Sequence, residues 1–156
     1  MSNRVEMRYM TREEVFEKAK AGSAIVVPLA ATEQHGPHLP VFTDSLISEY
    51  VVTGAVRQAA EHASVYMMPV QTIGCSQHHL SFGGTVSFRS STYLDMLRDI
   101  GESLVIAGFK KIIFVNSHGG NDPLMTQTAN DLAVTHPIWT ASASYWNIAR
   151  DKLNAL

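Results

Sequence analysis

The sequence predicts an α/β fold on a mostly parallel sheet, and two observations carry that expectation. Short apolar runs rich in β-branched residues recur along the chain, each followed by a helical pattern. This strand–helix alternation implies right-handed crossovers between parallel neighbours. The three most unusual polar loops all begin where an apolar run ends, the edge at which open parallel sheets bind ligands.

In order, Thr11 can cap a helix whose first turn carries Glu13 and Glu14 and whose end is marked by Gly22. Residues 24–29, Ala-Ile-Val-Val-Pro-Leu, read as a strand buried on both faces. A polar loop follows over 31–43, and Asp44 opens a helix reaching about residue 62. Residues 64–70 read as the second strand. A long loop spans 71–91, with a short extended piece at 85–88. A helix over 92–107 is closed by Gly108, and residues 111–116 form a third strand. The loop 117–121 leads into a helix ending near 135. Residues 138–143 are the fourth strand, and 147–156 begin another helix.

The chain has 156 residues, 46% hydrophobic and 17% charged, with a formal charge of −2, which fits one soluble domain over 1–156. No basic cluster suggests nucleic acid, and no apolar stretch is long enough to suggest a membrane partner. A single cysteine, Cys75, cannot form an internal disulfide, and the first residues lack a secretory pattern. Both favour a cytoplasmic setting. The loop after the first strand has no glycine-rich dinucleotide fingerprint, and nothing resembles a P-loop.

Three constellations carry chemistry. Glu33-Gln34-His35-Gly36-Pro37-His38 precedes Thr43-Asp44, and Glu33 and His35, two apart, can point the same way from an extended loop. Glu, His and Asp form a mixed nitrogen and oxygen set suited to zinc or manganese, and Asp44 can bridge two ions. The plainer alternative is a polar turn with Asp44 as a helix cap. Asn116-Ser117-His118-Gly119-Gly120-Asn121 sets a histidine directly after a strand, with glycines that allow close backbone approach; alternatively it is an ordinary turn with Asn121 as a cap. The central loop carries His78 and His79, which could serve catalysis or merely surface polarity. Cys75 reads as a small buried residue. His62 and His136 read as exposed or capping, and Trp139, Tyr145 and Trp146 as core or interface.

The segment from Thr32 to Pro40 with Thr43-Asp44 resembles the N-terminal signature of the creatininase family. Gly74 to Thr85 is similar to that family's central histidine loop, and Val115 to Asn121 to its third motif. The resemblance implies a three-layer α/β/α fold and two divalent metal ions, zinc first, with manganese or iron as alternatives. It also implies a homo-oligomer, commonly a hexamer. By position, Glu33, Asp44 and His118 would hold one ion, and His35 and Asp44 the other. One more carboxylate is needed. Creatininase itself has a glutamate where this chain has Gly120, and many members draw one from a later segment. The chain therefore reads as the N-terminal part of such a domain, in need of further copies or a complementary chain. Gly83 stands where the family often has proline.

The implied activity is hydrolysis of an amide or cyclic-amide C–N bond in a small polar molecule, with His78 or His79, or equally a group from a later segment, delivering a proton. Related activities are a deformylase in pteridine or flavin synthesis and peptide trimming in cofactor maturation. The rival expectation is a non-catalytic or incomplete subunit.

Overall fold

In the computed structural model, which describes residues 5–155, four strands form one parallel sheet: β1 (Ala24–Leu29), β2 (Val65–Met67), β3 (Lys111–Asn116) and β4 (Trp139–Ser144). Their order is β2-β1-β3-β4, and every pairing is parallel. Helix α1 (Arg12–Lys20) precedes β1, and α2 (Thr43–Ala59), α3 (Ser90–Ile106) and α4 (Asp122–Thr135) connect successive strands. Two short turns of helix, α5 (Tyr145–Ile148) and α6 (Arg150–Leu153), end the described chain.

Helix α1 starts as expected, in a reciprocal cap. Thr11 Oγ1 accepts from Glu14 N, and Glu14 Oε2 accepts from Thr11 N at 2.7 Å. Strand alternation then sorts side chains into two cores. Ile25, Val27, Leu29, Ile112 and Phe114 face Ala19 of α1, Tyr93, Leu97 and Leu104 of α3, and Met125, Ala129 and Leu132 of α4. Val26 and Met67 face Val52 and Val56 of α2, with Ile113 and Val115 packed at the margin. Helices therefore lie on both sides of the sheet, the expected three-layer arrangement.

The second strand is shorter than its apolar run. Pro69 has no N–H to donate, and pairing resumes only at the isolated Leu29–Gln71 bridge. The outer edge of β2 is met by the N-terminal segment, where Met67 N donates to Val5 O. The extended piece at 85–88 reduces to two bridges, Thr32–Val86 and Gly74–Ser87. The long loop also contains a 3-10 helix, Gln77–Phe82, that the sequence pattern does not announce. It ends at Gly83 and Gly84, whose φ values of 75° and 69° suit glycine and exclude proline at residue 83. Trp139 is 80% exposed, so it is not a core residue. The last helical stretch is broken at Ala149, and its end, residue 156, lies outside the described residues. Among the described residues no helix is long and apolar enough to cross a membrane.

β1 is flanked by β2 on one side and β3 on the other, so the chain reverses its direction of travel across the sheet between β1 and β3. A crevice at such a reversal, outside the carboxyl ends of the strands, is where this class of fold builds sites.

Candidate metal centre

Two loops and one helix start converge there. The segment after β1 supplies Glu33 and His35, the first turn of α2 supplies Asp44, and the residue pair after β3 leads to His118. Glu33 and Asp44 are each 7% exposed and His118 4%. Asp44 is not a helix cap. It lies inside α2 with one oxygen towards each histidine: His35 Nε2 is 3.1 Å from Oδ1 and His118 Nδ1 is 3.0 Å from Oδ2. Ser45 Oγ donates to Ala31 O at 3.0 Å and ties the start of α2 to the loop after β1. His118 Nδ1 also lies 3.2 Å from Glu33 Oε1, while Glu33 Oε2 is buried without a hydrogen-bond partner among the described residues.

The outer nitrogens of both rings decide the chemistry. His35 Nδ1 lies 3.1 Å from the carbonyl oxygen of Glu33, and His118 Nε2 lies 3.3 Å from that of Cys75 and 3.0 Å from Ser76 Oγ. A carbonyl oxygen only accepts, so these outer nitrogens carry the protons. In the neutral rings the inner nitrogens then present lone pairs to carboxylate oxygens, which is stable only with a cation between them. Either a proton or a metal ion satisfies it. Ring N–H groups anchored on carbonyls are the usual support of metal-ligating histidines. Without metal, burial pushes the His118 pKa down. The hydrogen bond to Asp44, the charges of Glu33 and Asp44 and the Cys75 carbonyl outweigh burial, and the net shift is upward.

Two groups of potential ligand atoms lie within 4.8 Å of one another: Glu33, His35 and Asp44, and Glu33, His78 and His118. The donor set is the one expected for a divalent ion of the zinc or manganese kind. All six histidines and carboxylates singled out in the sequence are thus near one another, with two distinctions. His79 faces the site indirectly, with Nε2 3.7 Å from Glu33 Oε2. His78 is exposed, its ring stacked 6.1 Å from that of His118 at an interplanar angle of 14°. Asp122 is in neither ligand group; it accepts from Ser144 Oγ at 2.5 Å.

Sequence reasoning missed the residues that hold the loops together. Asn121 stands at the N-cap position of α4, but its side chain makes no capping bond: its amide donates to Ala30 O at 3.0 Å and Asn116 Oδ1 at 3.2 Å, and its Oδ1 accepts from Cys75 N at 2.9 Å. Asn116 Nδ2 donates to His118 O and to Ser144 Oγ. Gln34 Oε1 accepts from Gly36 N at 2.9 Å, which orients its amide so that Nε2 donates to His79 Nδ1 at 2.8 Å. Gly120 makes its close approach to the chain itself, since an added Cβ would fall 2.1 Å from Cys75 O. The clue available in the sequence was the density of amide side chains around these loops.

The creatinine amidohydrolase (Creatininase) family model matches residues 8–155. The mycofactocin precursor peptide peptidase of Mycobacterium tuberculosis is 37% identical over 110 residues, covering 67% of this chain and 43% of that protein. The creatinine amidohydrolase of Pseudomonas putida is 26% identical, covering 97% of this chain and 61% of that protein. A crystal structure of creatininase superposes with a TM-score of 0.83 at 24% identity, over 96% of this chain and 61% of the other. Solved creatininases of the same fold also include a manganese form and a Zn–Zn form. The chain spans roughly two to three fifths of the length of these relatives. Fold, motif order and family match agree, and the chain belongs to the creatininase family.

Proposed function

We propose that this chain carries the metal centre of a hydrolase that cleaves an amide or cyclic-amide C–N bond in a small polar molecule. The observation that supports it most is the pair of histidines whose inner nitrogens face carboxylates while their outer N–H groups are anchored on carbonyls. Glu33, Asp44 and His118 would hold one divalent ion, and His35 with Asp44 the other. Asp44 already divides its two oxygens between the histidines. Zinc is the first expectation, with manganese or iron as alternatives, in line with the manganese and Zn–Zn forms of solved creatininases. Ions held there supply a water deprotonated near neutral pH and a Lewis acid for the carbonyl oxygen.

The chain's own groups do the rest. Anchored outer N–H groups keep the inner nitrogens of His35 and His118 free to ligate. The Gln34 amide donates to His79 Nδ1, so the proton of the neutral ring sits on Nε2, facing Glu33 Oε2. From there it can reach a leaving nitrogen. His79 is the better placed of the two central histidines for this task, with His78 beside it at 4.3 Å between ring centroids. The relatives named above as a peptidase and as an amidohydrolase both break C–N bonds, which supports the bond class. The single cysteine supports a cytoplasmic setting.

One observation favours a second reading, that the chain works with a partner. On the sheet face that α2 covers over β1 and β2, Trp139 and Ala141 of β4 are exposed beside the half-buried Ile113 and Val115 of β3. Further copies, up to a hexamer, or a complementary chain would cover that face. A monodisperse monomer at micromolar concentration in sedimentation would refute it. The activity is tested by incubating metal-loaded protein with lactams, N-formyl amides and short peptides and following amine release. Turnover of one class, lost with chelator and in Glu33→Ala, is expected. No turnover of any class by protein carrying its metal would overturn the hydrolase reading.

A further inference from the structure

We propose that His78 is a metal ligand, so that this chain alone offers three protein ligands to each of two ions. The inference rests on the metal centre proposed above and alters its ligand set. With only Glu33, His35, Asp44 and His118, the ion beside His35 would have two protein ligands if Glu33 served the other ion alone. A catalytic zinc usually keeps three, with water in the fourth position.

The geometry divides the five side chains differently. One group is Glu33, His35 and Asp44; the other is Glu33, His78 and His118. Glu33 belongs to both, and its carboxylate can serve both: Oε1 lies 3.2 Å from His118 Nδ1, and Oε2 is buried without a hydrogen-bond partner among the described residues. Asp44 remains within reach of both histidines, His35 and His118. The count becomes three and three, with no carboxylate required from elsewhere.

His78 and His79 are adjacent but not interchangeable. His79 Nδ1 is taken by the Gln34 amide at 2.8 Å, and its ring also meets Phe82 at 6.0 Å between centroids. His78 takes part in ring contacts only, lying nearly parallel to the His118 ring. Its backbone is held in the 3-10 helix at Gln77–Phe82, whose N-terminal end is secured. Ser76 N donates to Ser87 Oγ at 2.7 Å, and Gln77 Oε1 accepts from Ser90 N at 3.2 Å. The imidazole is thus an exposed side chain on a backbone held beside the site.

The test is cobalt(II) titration of the metal-free chain, read by visible ligand-field absorption and by equilibrium dialysis. The wild type, His78→Gln and His79→Gln are compared. His78 is exposed, so its replacement leaves folding intact, which circular dichroism checks. Two ions are expected in the wild type. In His78→Gln one of the two should bind at least roughly tenfold more weakly, the smallest loss seen even for groups that merely orient a ligand, and its absorption should change. His79→Gln should keep both ions and both bands. Two ions bound by His78→Gln with wild-type affinity and spectrum would overturn the assignment while leaving the metal centre standing. A wild-type chain that binds no cobalt would overturn both.

Discussion

Replacing Gly120 with alanine perturbs the site through backbone packing alone. Neither Gly119 nor Gly120 has a positive φ, so conformational strain does not distinguish them. Space does. A Cβ at residue 119 meets nothing within 4 Å, whereas one at residue 120 falls 2.1 Å from Cys75 O and 2.7 Å from His118 Nε2. The first overlap is more than an ångström inside ordinary contact and is against backbone. Cys75 cannot retreat freely, because its N–H donates to Asn121 Oδ1 and its carbonyl accepts from His118 Nε2. Overpacking costs about 1–3 kcal/mol, and each buried hydrogen bond lost adds about 1 kcal/mol. We expect Gly120→Ala to lose about 3 kcal/mol. With a urea slope of about 2 kcal/mol/M, that lowers the unfolding midpoint by about 1.5 M. Gly119→Ala should lie within about 0.5 kcal/mol of wild type. Equal destabilisation of the two alanine variants, or a Gly120→Ala midpoint unchanged from wild type, would refute the packing argument.

Other outcomes follow from the same contacts. The folded-state pKa of His118 in the metal-free chain is raised above the ordinary 6.5. Its contribution to stability is therefore full below that value and lost as pH rises through the folded pKa. Urea midpoints of chelated protein should fall as pH rises through the raised folded pKa, and this part of the fall should vanish in His118→Asn. Metal binding should run the other way and tighten as pH rises, because a ligating imidazole must be neutral; isothermal titration with zinc at two pH values checks this. Asn121→Ala leaves Cys75 N–H and Ala30 O without their partner in a buried place, at about 1–3 kcal/mol each. A thermal melt should show a loss of several degrees, and none would contradict the clamp. Phe114→Ala, at the fully buried centre of β3, should cost about 3–5 kcal/mol by urea denaturation. Arg98→Ala removes the half-exposed bridge to Asp131 and the longer contact with Asp95, and should cost less than about 1 kcal/mol by the same measurement.

Most of the fold was legible because burial on both faces leaves a plain mark. The runs at 24–29 and 111–116 became β1 and β3 without change, and the helical patterns became α2, α3 and α4 within a few residues. Where the prediction slipped, a local rule met a tertiary one. Pro69 shortened β2, and Trp139, read as core or interface, proved exposed, which removes the core half of that reading. The 3-10 helix at Gln77–Phe82 was invisible because it is held by distant partners, Ser87 and Ser90, rather than by a periodic pattern. Around the site, the titratable residues stood out by type and by their glycine and proline neighbours. The amides of Asn116, Asn121 and Gln34 did not, since turn composition alone cannot separate a cap from a buried clamp.

The central claim is that Glu33, His35, Asp44 and His118 form a centre for two divalent ions. Metal content per chain, measured by mass spectrometry after dialysis against zinc or manganese, tests it most directly. Two ions per folded chain, lost when Glu33 and His118 are both replaced by alanine, is the predicted result. A folded wild-type chain that retains no ion, or a double variant that retains both, would contradict it.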